Sequence, residues 1–234
     1  VSIAIKEHYQ PRFSGDKLPS TNEGLVVAIA DKLDTITGIY GIGQAPTGSK
    51  DPFALRRLAL GLLRILLEAR IELNLKELID FSLNLHLKEV DRDSSLSIYQ
   101  FMMERLKAYY KDLGVDGSIY EAVLAVSPNS PFDFHQRVEA LNEFTQKNES
   151  KSLIESNKRI KNILKDFEGD HDNLNSKKLI EESEKKLYRA TELITKQLNE
   201  KQDYKAIMRS LLDLKDVIDT FFETVMVNAD DLEL

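Results

Sequence analysis

The sequence predicts an all-helical protein, and three observations carry that prediction. Leu, Ile and Ala recur at three- and four-residue steps through residues 55–67, 96–113 and 179–198, the spacing that lines one face of a helix. Alternating β-branched patterns of the kind that make half-buried strands are nearly absent. Gly and Pro gather in a few breaks, at residues 11–19, 38–52, 114–117, 127–131 and 169–175, which divide the chain into roughly nine or ten helices.

Several helix starts carry a chemical signature. Ser20-Thr21 ahead of Glu23 reads as a capping box. Asp51-Pro52 sets a capping carboxylate before a proline at the first helical position, and Ser130-Pro131 repeats the device with a hydroxyl. The composition shifts after Pro128, from Gly, Leu and Ala to Lys, Glu and Asn on long amphipathic helices, which predicts one domain over residues 1–128 and a second over 129–234. The polar stretch 170–178 reads as a loop.

With 234 residues, 42% of them apolar, the chain has enough material for a substantial core. Its most apolar run, residues 58–69, is interrupted by arginine and is too short to cross a bilayer, so no membrane is expected as a partner. There is no cysteine, hence no disulfide or thiolate metal site, and residues 1–6 do not resemble a signal peptide. These features point to the cytoplasm. Val1 in place of Met, with the apolar pattern starting at once, reads as a segment of a longer protein.

A formal net charge of −7 excludes a protein that grips nucleic acid with its whole surface, so any such role falls to a local cluster. Residues 147–165 provide one, with Lys147, Lys151, Lys158, Arg159, Lys161 and Lys165 against Glu149 and Glu155. From Asn157 onward Ile160, Ile163, Leu164 and Phe167 form an apolar stripe expected to face inward. Asn157, Lys158, Arg159, Lys161 and Asn162 then project amides and cations suited to phosphates and unstacked bases. The alternative is a merely solvated charged face.

Two other segments invite chemistry. Asp31 and Asp34 share a helix face, and with His8 they suggest a divalent-metal site of the HD phosphohydrolase type. That class needs a His-Asp doublet, and the one present, His171-Asp172, lies in the polar loop, so the structural reading is preferred and no metal is expected. His86 and His135 are expected at helix surfaces or edges. Residues 40–57 open with glycines and end at a helix start, but Gly48-Ser49-Lys50 is not the Walker pattern and no strand precedes it. Lys50, Arg56 and Arg57 are either a second set of phosphate contacts or solvated cations beside a rigid loop.

Several uninterrupted blocks resemble the beta chain of bacterial glycyl-tRNA synthetase. They are Glu7-His8-Tyr9-Gln10-Pro11-Arg12-Phe13 with Gly15-Asp16 and Leu18-Pro19, then residues 28–35 and the long block 41–57. Further along come Arg137-Val138-Glu139-Ala140-Leu141 with Phe144, residues 157–164, and Phe221-Phe222 with Val225-Met226-Val227-Asn228-Ala229. The resemblance implies an enzyme in which an alpha subunit holds the glycine and ATP chemistry while beta grips the tRNA, two copies of each forming a heterotetramer. It implies that residues 1–128 are the C-terminal part of an HD-like domain and that 129–234 are similar to a DALR-type anticodon-binding bundle. Arg137, Asn157, Lys158, Arg159 and Asn162 would then face glycine tRNA, with Lys50, Arg56 and Arg57 as a second set. His8, Asp31 and Asp34 would be vestigial HD positions. No catalytic residue or cofactor is expected in this segment, ATP and Mg serving the whole enzyme. Two other readings are a metal-dependent HD-type phosphohydrolase and a helical scaffold for subunit assembly.

Overall fold

The computed structural model describes residues 1–86, 90–166, 176–199 and 203–225. Among them are ten α-helices and no strand, with one isolated bridge joining Thr47 and Lys50. The chain divides into two compact units, Val1–Val138 and Glu139–Leu234, and the division falls inside α7.

The first unit comprises α1 (Ser2–Glu7), α2 (Asn22–Gly41), α3 (Leu55–Glu68), α4 (Leu75–Leu85), α5 (Ser95–Asp112), α6 (Gly117–Val126) and the start of α7 (Pro131–Thr145). Its centre is α3, where Leu55, Leu62, Leu63, Ile65 and Leu66 have no exposed surface. α2 and α5 pack on it, and α4 packs on both of those. The apolar periodicity read from residues 55–67 is therefore nearly all-round burial, as expected of a helix enclosed by neighbours.

Cap chemistry sets the helix starts. Thr21 Oγ1 accepts from Gly24 N at 3.1 Å, a single cap in place of the expected box, because Ser20 instead donates its amide and hydroxyl to Glu7. The Asp51 carboxylate accepts from Leu55 N (2.8 Å) and Arg56 N (3.0 Å), so α3 starts at Leu55 and Pro52 lies in the preceding turn, a correction to the expected first-turn proline. Ala54 adopts a left-handed φ of 55° there, a conformation that costs about 1–2 kcal/mol and that the doubly bonded carboxylate offsets. Ser130 Oγ does accept from Phe132 N at the head of α7.

One charged side chain is central to this unit. Lys32 on α2 is 1% exposed, and its ammonium donates to the carbonyls of His8 (3.0 Å) and Gln10 (2.9 Å). Burial pushes its pKa below the ordinary lysine value, and the two carbonyls supply the hydrogen bonds that a buried cation requires. The segment after α1 is thereby fastened to α2. It is fastened again by Asp16, whose carboxylate accepts from Arg12 Nε (2.9 Å), Arg12 N (2.8 Å) and Lys17 N (3.0 Å), while Arg64 of α3 donates to the Asp16 carbonyl (2.9 Å).

The second unit comprises the end of α7 with α8 (Asn148–Ile163), α9 (Glu182–Asn199) and α10 (Tyr204–Thr224). Phe144, Leu153, Ile194, Leu214 and Ile218 form its core, with Leu141, Ile160, Leu187, Met208 and Phe222 packed around them. α10 lies against both α8 and α9.

Two consequences are measurable. A Cβ on Gly41 would lie 2.2 Å from Val90 Cγ1, so Gly41→Ala is expected to lower unfolding free energy by about 1–3 kcal/mol through overpacking. An unchanged urea midpoint contradicts this packing of Val90 on α2. The hydrogen bonds from Arg12 hold the Asp16 carboxyl at about 2, below its ordinary 3.8. Because the folded-state value is depressed, its stabilisation is present above pH 3.8 and is lost as pH falls towards about 2. The stability gap between the wild-type chain and Asp16→Asn should shrink across that window in urea titrations; a gap independent of pH contradicts the assignment.

Candidate nucleic-acid interface

α8 must bury Leu153 and Ile160 in the core it shares with α10, and that requirement sets its rotation. Ser150, fully buried in its first turn, donates to the Lys147 carbonyl at 2.6 Å and seats that end of the helix. The opposite face then carries Lys151, Lys158 and Lys161, seven and three residues apart, with Lys165 four residues further on in the short turn that follows, all exposed. The three on α8 lie along one side of the helix, about 15 Å from first to last at 1.5 Å per residue. None of these four lysines has a hydrogen-bond or ion-pair partner among the described residues, and the carboxylate on their edge is Glu155.

The expected amides also face solvent: Asn162 stands one turn beyond Lys158, and Asn157 one turn before Lys161. Arg159 is placed differently. Its guanidinium carbon lies 4.1 Å from the centroid of the Phe222 ring, so it bridges α8 to α10 on the flank of the lysine stripe. Leu164, expected inward, is 44% exposed, because the helix gives way to a short 3-10 turn over Leu164–Asp166. Phe167 lies outside the described residues, as do the His171-Asp172 doublet and positions 226–229.

Arg137 is half-buried on the first unit's portion of α7, its Nε donating to Asp133 at 3.1 Å. In the same unit, Lys50 and Thr47 close a tight turn through reciprocal backbone bonds of 2.8 and 3.1 Å. Gly48 in that turn has φ +51°, and Arg56 donates to its carbonyl at 2.7 Å, which makes Arg56 a fastener of the loop. Lys50 and Arg57 remain exposed, Arg57 beside Phe13 and Arg64 at a shallow hollow.

The HD-type positions are engaged separately. The His8 ring bonds the Ile5 carbonyl at 2.6 Å and stacks on Tyr9. Asp34 lies 3.6 Å from His86 Nε2, which also bonds Thr37 at 3.0 Å, while Asp31 is half-exposed on α2. Among the described residues no group of three or more His, Cys, Asp or Glu side chains comes together. His86 and His135 are half-buried where helices meet, His135 bonding the buried Tyr110 hydroxyl at 2.9 Å.

The lysine stripe exceeds what sequence reasoning selected. Lys151 and Lys165 were visible in the charge count, but their alignment with Lys158 and Lys161 depends on which face Leu153 and Ile160 bury.

No helix among the described residues is long and apolar enough to cross a membrane. A family profile described as "Glycyl-tRNA synthetase beta subunit" matches residues 1–125. The chain is 44% identical over 236 aligned residues to the glycine–tRNA ligase beta subunit of Pseudomonas aeruginosa, covering 99% of this chain and 34% of that one. It is 42% identical to that of Hahella chejuensis, with the same coverage, and 42% identical to that of Acinetobacter baylyi over 100% of this chain and 35% of the relative. It thus spans about a third of the length of these relatives. With a profile covering more than half of its residues and relatives aligned along nearly all of it, the chain belongs to the glycyl-tRNA synthetase beta subunit family.

Proposed function

We propose that this chain is a tRNA-gripping portion of the beta subunit of a glycine–tRNA ligase, working in the cytoplasm beside an alpha subunit that performs ATP- and Mg-dependent activation of glycine. The observation that carries the reading is the exposed lysine face of α8, flanked by Asn157 and Asn162. Cations neutralise phosphates and release counterions, which supplies affinity; amides and open carbonyls select among unpaired bases. Four exposed ammonium groups without partners among the described residues need no rearrangement before meeting a polyanion.

In this proposal residues 129–234 are a DALR-like anticodon-binding bundle and residues 1–128 the C-terminal part of an HD-like domain. Arg159 supports the surface by holding α8 on α10 through Phe222. Arg137, Lys50 and Arg57 are supplementary phosphate contacts, and Arg56 acts through the loop it fastens. The segment carries no catalytic group; glycine tRNA and the alpha subunit are its partners, in an assembly of two alpha and two beta chains.

The test is a titration of this chain with glycine tRNA across a range of salt. Lys158→Glu with Lys161→Glu is expected to weaken binding at every salt concentration and to reduce the log–log salt slope by about 2, one for each lost phosphate contact. Identical affinity and slope in the double variant would remove the α8 face from the proposal.

A further inference from the structure

Away from the lysine stripe, the first unit carries an apolar face that its own helices leave open. Residues 25–30 of α2 are apolar without interruption, the composition of a helix enclosed on every side. Ala28, Ile29 and Leu33 are indeed buried, yet Val26 and Val27 are 66% and 42% exposed. On α4, Phe81 and Leu85 stand one turn apart on one side and are 64% and 63% exposed. We propose that this face is a seam of the intact beta subunit, covered by an apolar helix from the part of the same polypeptide that lies outside these 234 residues. The inference rests on family membership and is independent of the RNA-binding reading.

The way α4 meets α2 leaves the face open. Thr37 Oγ1 and Ser82 Oγ are 2.7 Å apart, and one turn further along α4 His86 Nε2 stands 3.6 Å from the Asp34 carboxylate. His86 also fills the space beside Gly38, 3.0 Å from where a Cβ would stand. Because α4 ends at this contact, it covers α2 from Asp34 onward and leaves the turns before it uncovered on that side. Val27, Ala30 and Asp34 share one side of α2, and Leu85 directly precedes His86. The two apolar stretches therefore adjoin at the contact of Asp34 with His86. Single exposed apolar residues are ordinary, but several brought together on two packed helices mark a contact surface.

Charge selects among the occupants. Lys32, the one basic residue of α2, is buried, and Lys76 of α4 is turned onto the Tyr99 ring, 4.8 Å from its centroid. The exposed charges that border the face are Glu23, Asp34 and Glu77. Such a border repels RNA phosphates. In a two-fold contact it would set the carboxylates of a second copy against their own counterparts. It fits instead a helix whose apolar stripe is edged with Lys or Arg.

Length supplies the source of that helix. This chain spans about a third of the length of its relatives, so most of the residues of an intact beta subunit are available to cover the face. The open side of α2 is as apolar as the sides that its own unit encloses, which is the mark of a permanent contact and not of a partner that comes and goes.

The experiment uses the absence of cysteine from these 234 residues. Val27→Cys and Phe81→Cys, made singly in this chain and in the full-length beta subunit without alpha, are labelled with N-ethylmaleimide and followed by peptide mass spectrometry. Lys111→Cys, exposed on α5, is the reference, and thermal melts confirm that each variant folds. Labelling at 27 and 81 is expected to be slower by roughly tenfold or more in the full-length subunit than in this chain, because it waits there for a local opening, while the reference is unchanged. Equal rates in the two proteins would overturn the inference. So would protection that appears only when alpha is added, which assigns the face to alpha, or protection in this chain that grows with its own concentration, which assigns it to a second copy.

Discussion

Everything proposed for the second unit depends on the burial of Leu153 and Ile160. A Leu or Ile truncated to Ala in a core costs about 2–5 kcal/mol, far more than any rearrangement of exposed lysines could return. The core therefore dictates the rotation of α8, and the lysines follow, because residues three, four and seven apart share a side of the helix. The cationic face is a by-product of packing and does not depend on where the long lysine side chains rest. Arg159 over Phe222 reinforces the same rotation from the flank.

A net charge of −7 coexists with this face because charge is sorted by element. α8 presents its lysines while α10 exposes Asp213, Asp216 and Glu223 along its own solvent side. At physiological salt, charges beyond about 8 Å are largely screened, so a polyanion at α8 meets mainly the local lysines. The first unit shows the reverse economy, spending a cation inside. Lys32 and Asp16 are both buried polar groups, Lys32 bonded to two carbonyls and the Asp16 carboxylate accepting from Arg12 and Lys17, and together with Arg64 they hold the segment after α1 against α2 and α3. Asp31 and Asp34, on the same helix as Lys32, join no group of three or more His, Cys, Asp or Glu side chains among the described residues.

The helices were legible because burial at three- and four-residue spacing leaves a periodic trace, and α3, α5 and α9 follow it closely. Helix starts were legible only where one side chain decides them. Ser130 caps α7 as read, but Asp51 reaches past Pro52 to amides four and five residues on, a span that sequence spacing does not reveal. Of the candidate surface, Asn157, Lys158 and Asn162 could be named from the local pattern. Arg159 could not be assigned to Phe222, which lies 63 positions away in the sequence.

The most direct test of the central claim is lysine-selective acetylation of the chain with and without glycine tRNA, read residue by residue by mass spectrometry. The account predicts that Lys151, Lys158, Lys161 and Lys165 are protected together by the RNA, while Lys76 and Lys107, exposed on the first unit, react at unchanged rates. Equal acetylation of these four lysines in both samples would contradict it.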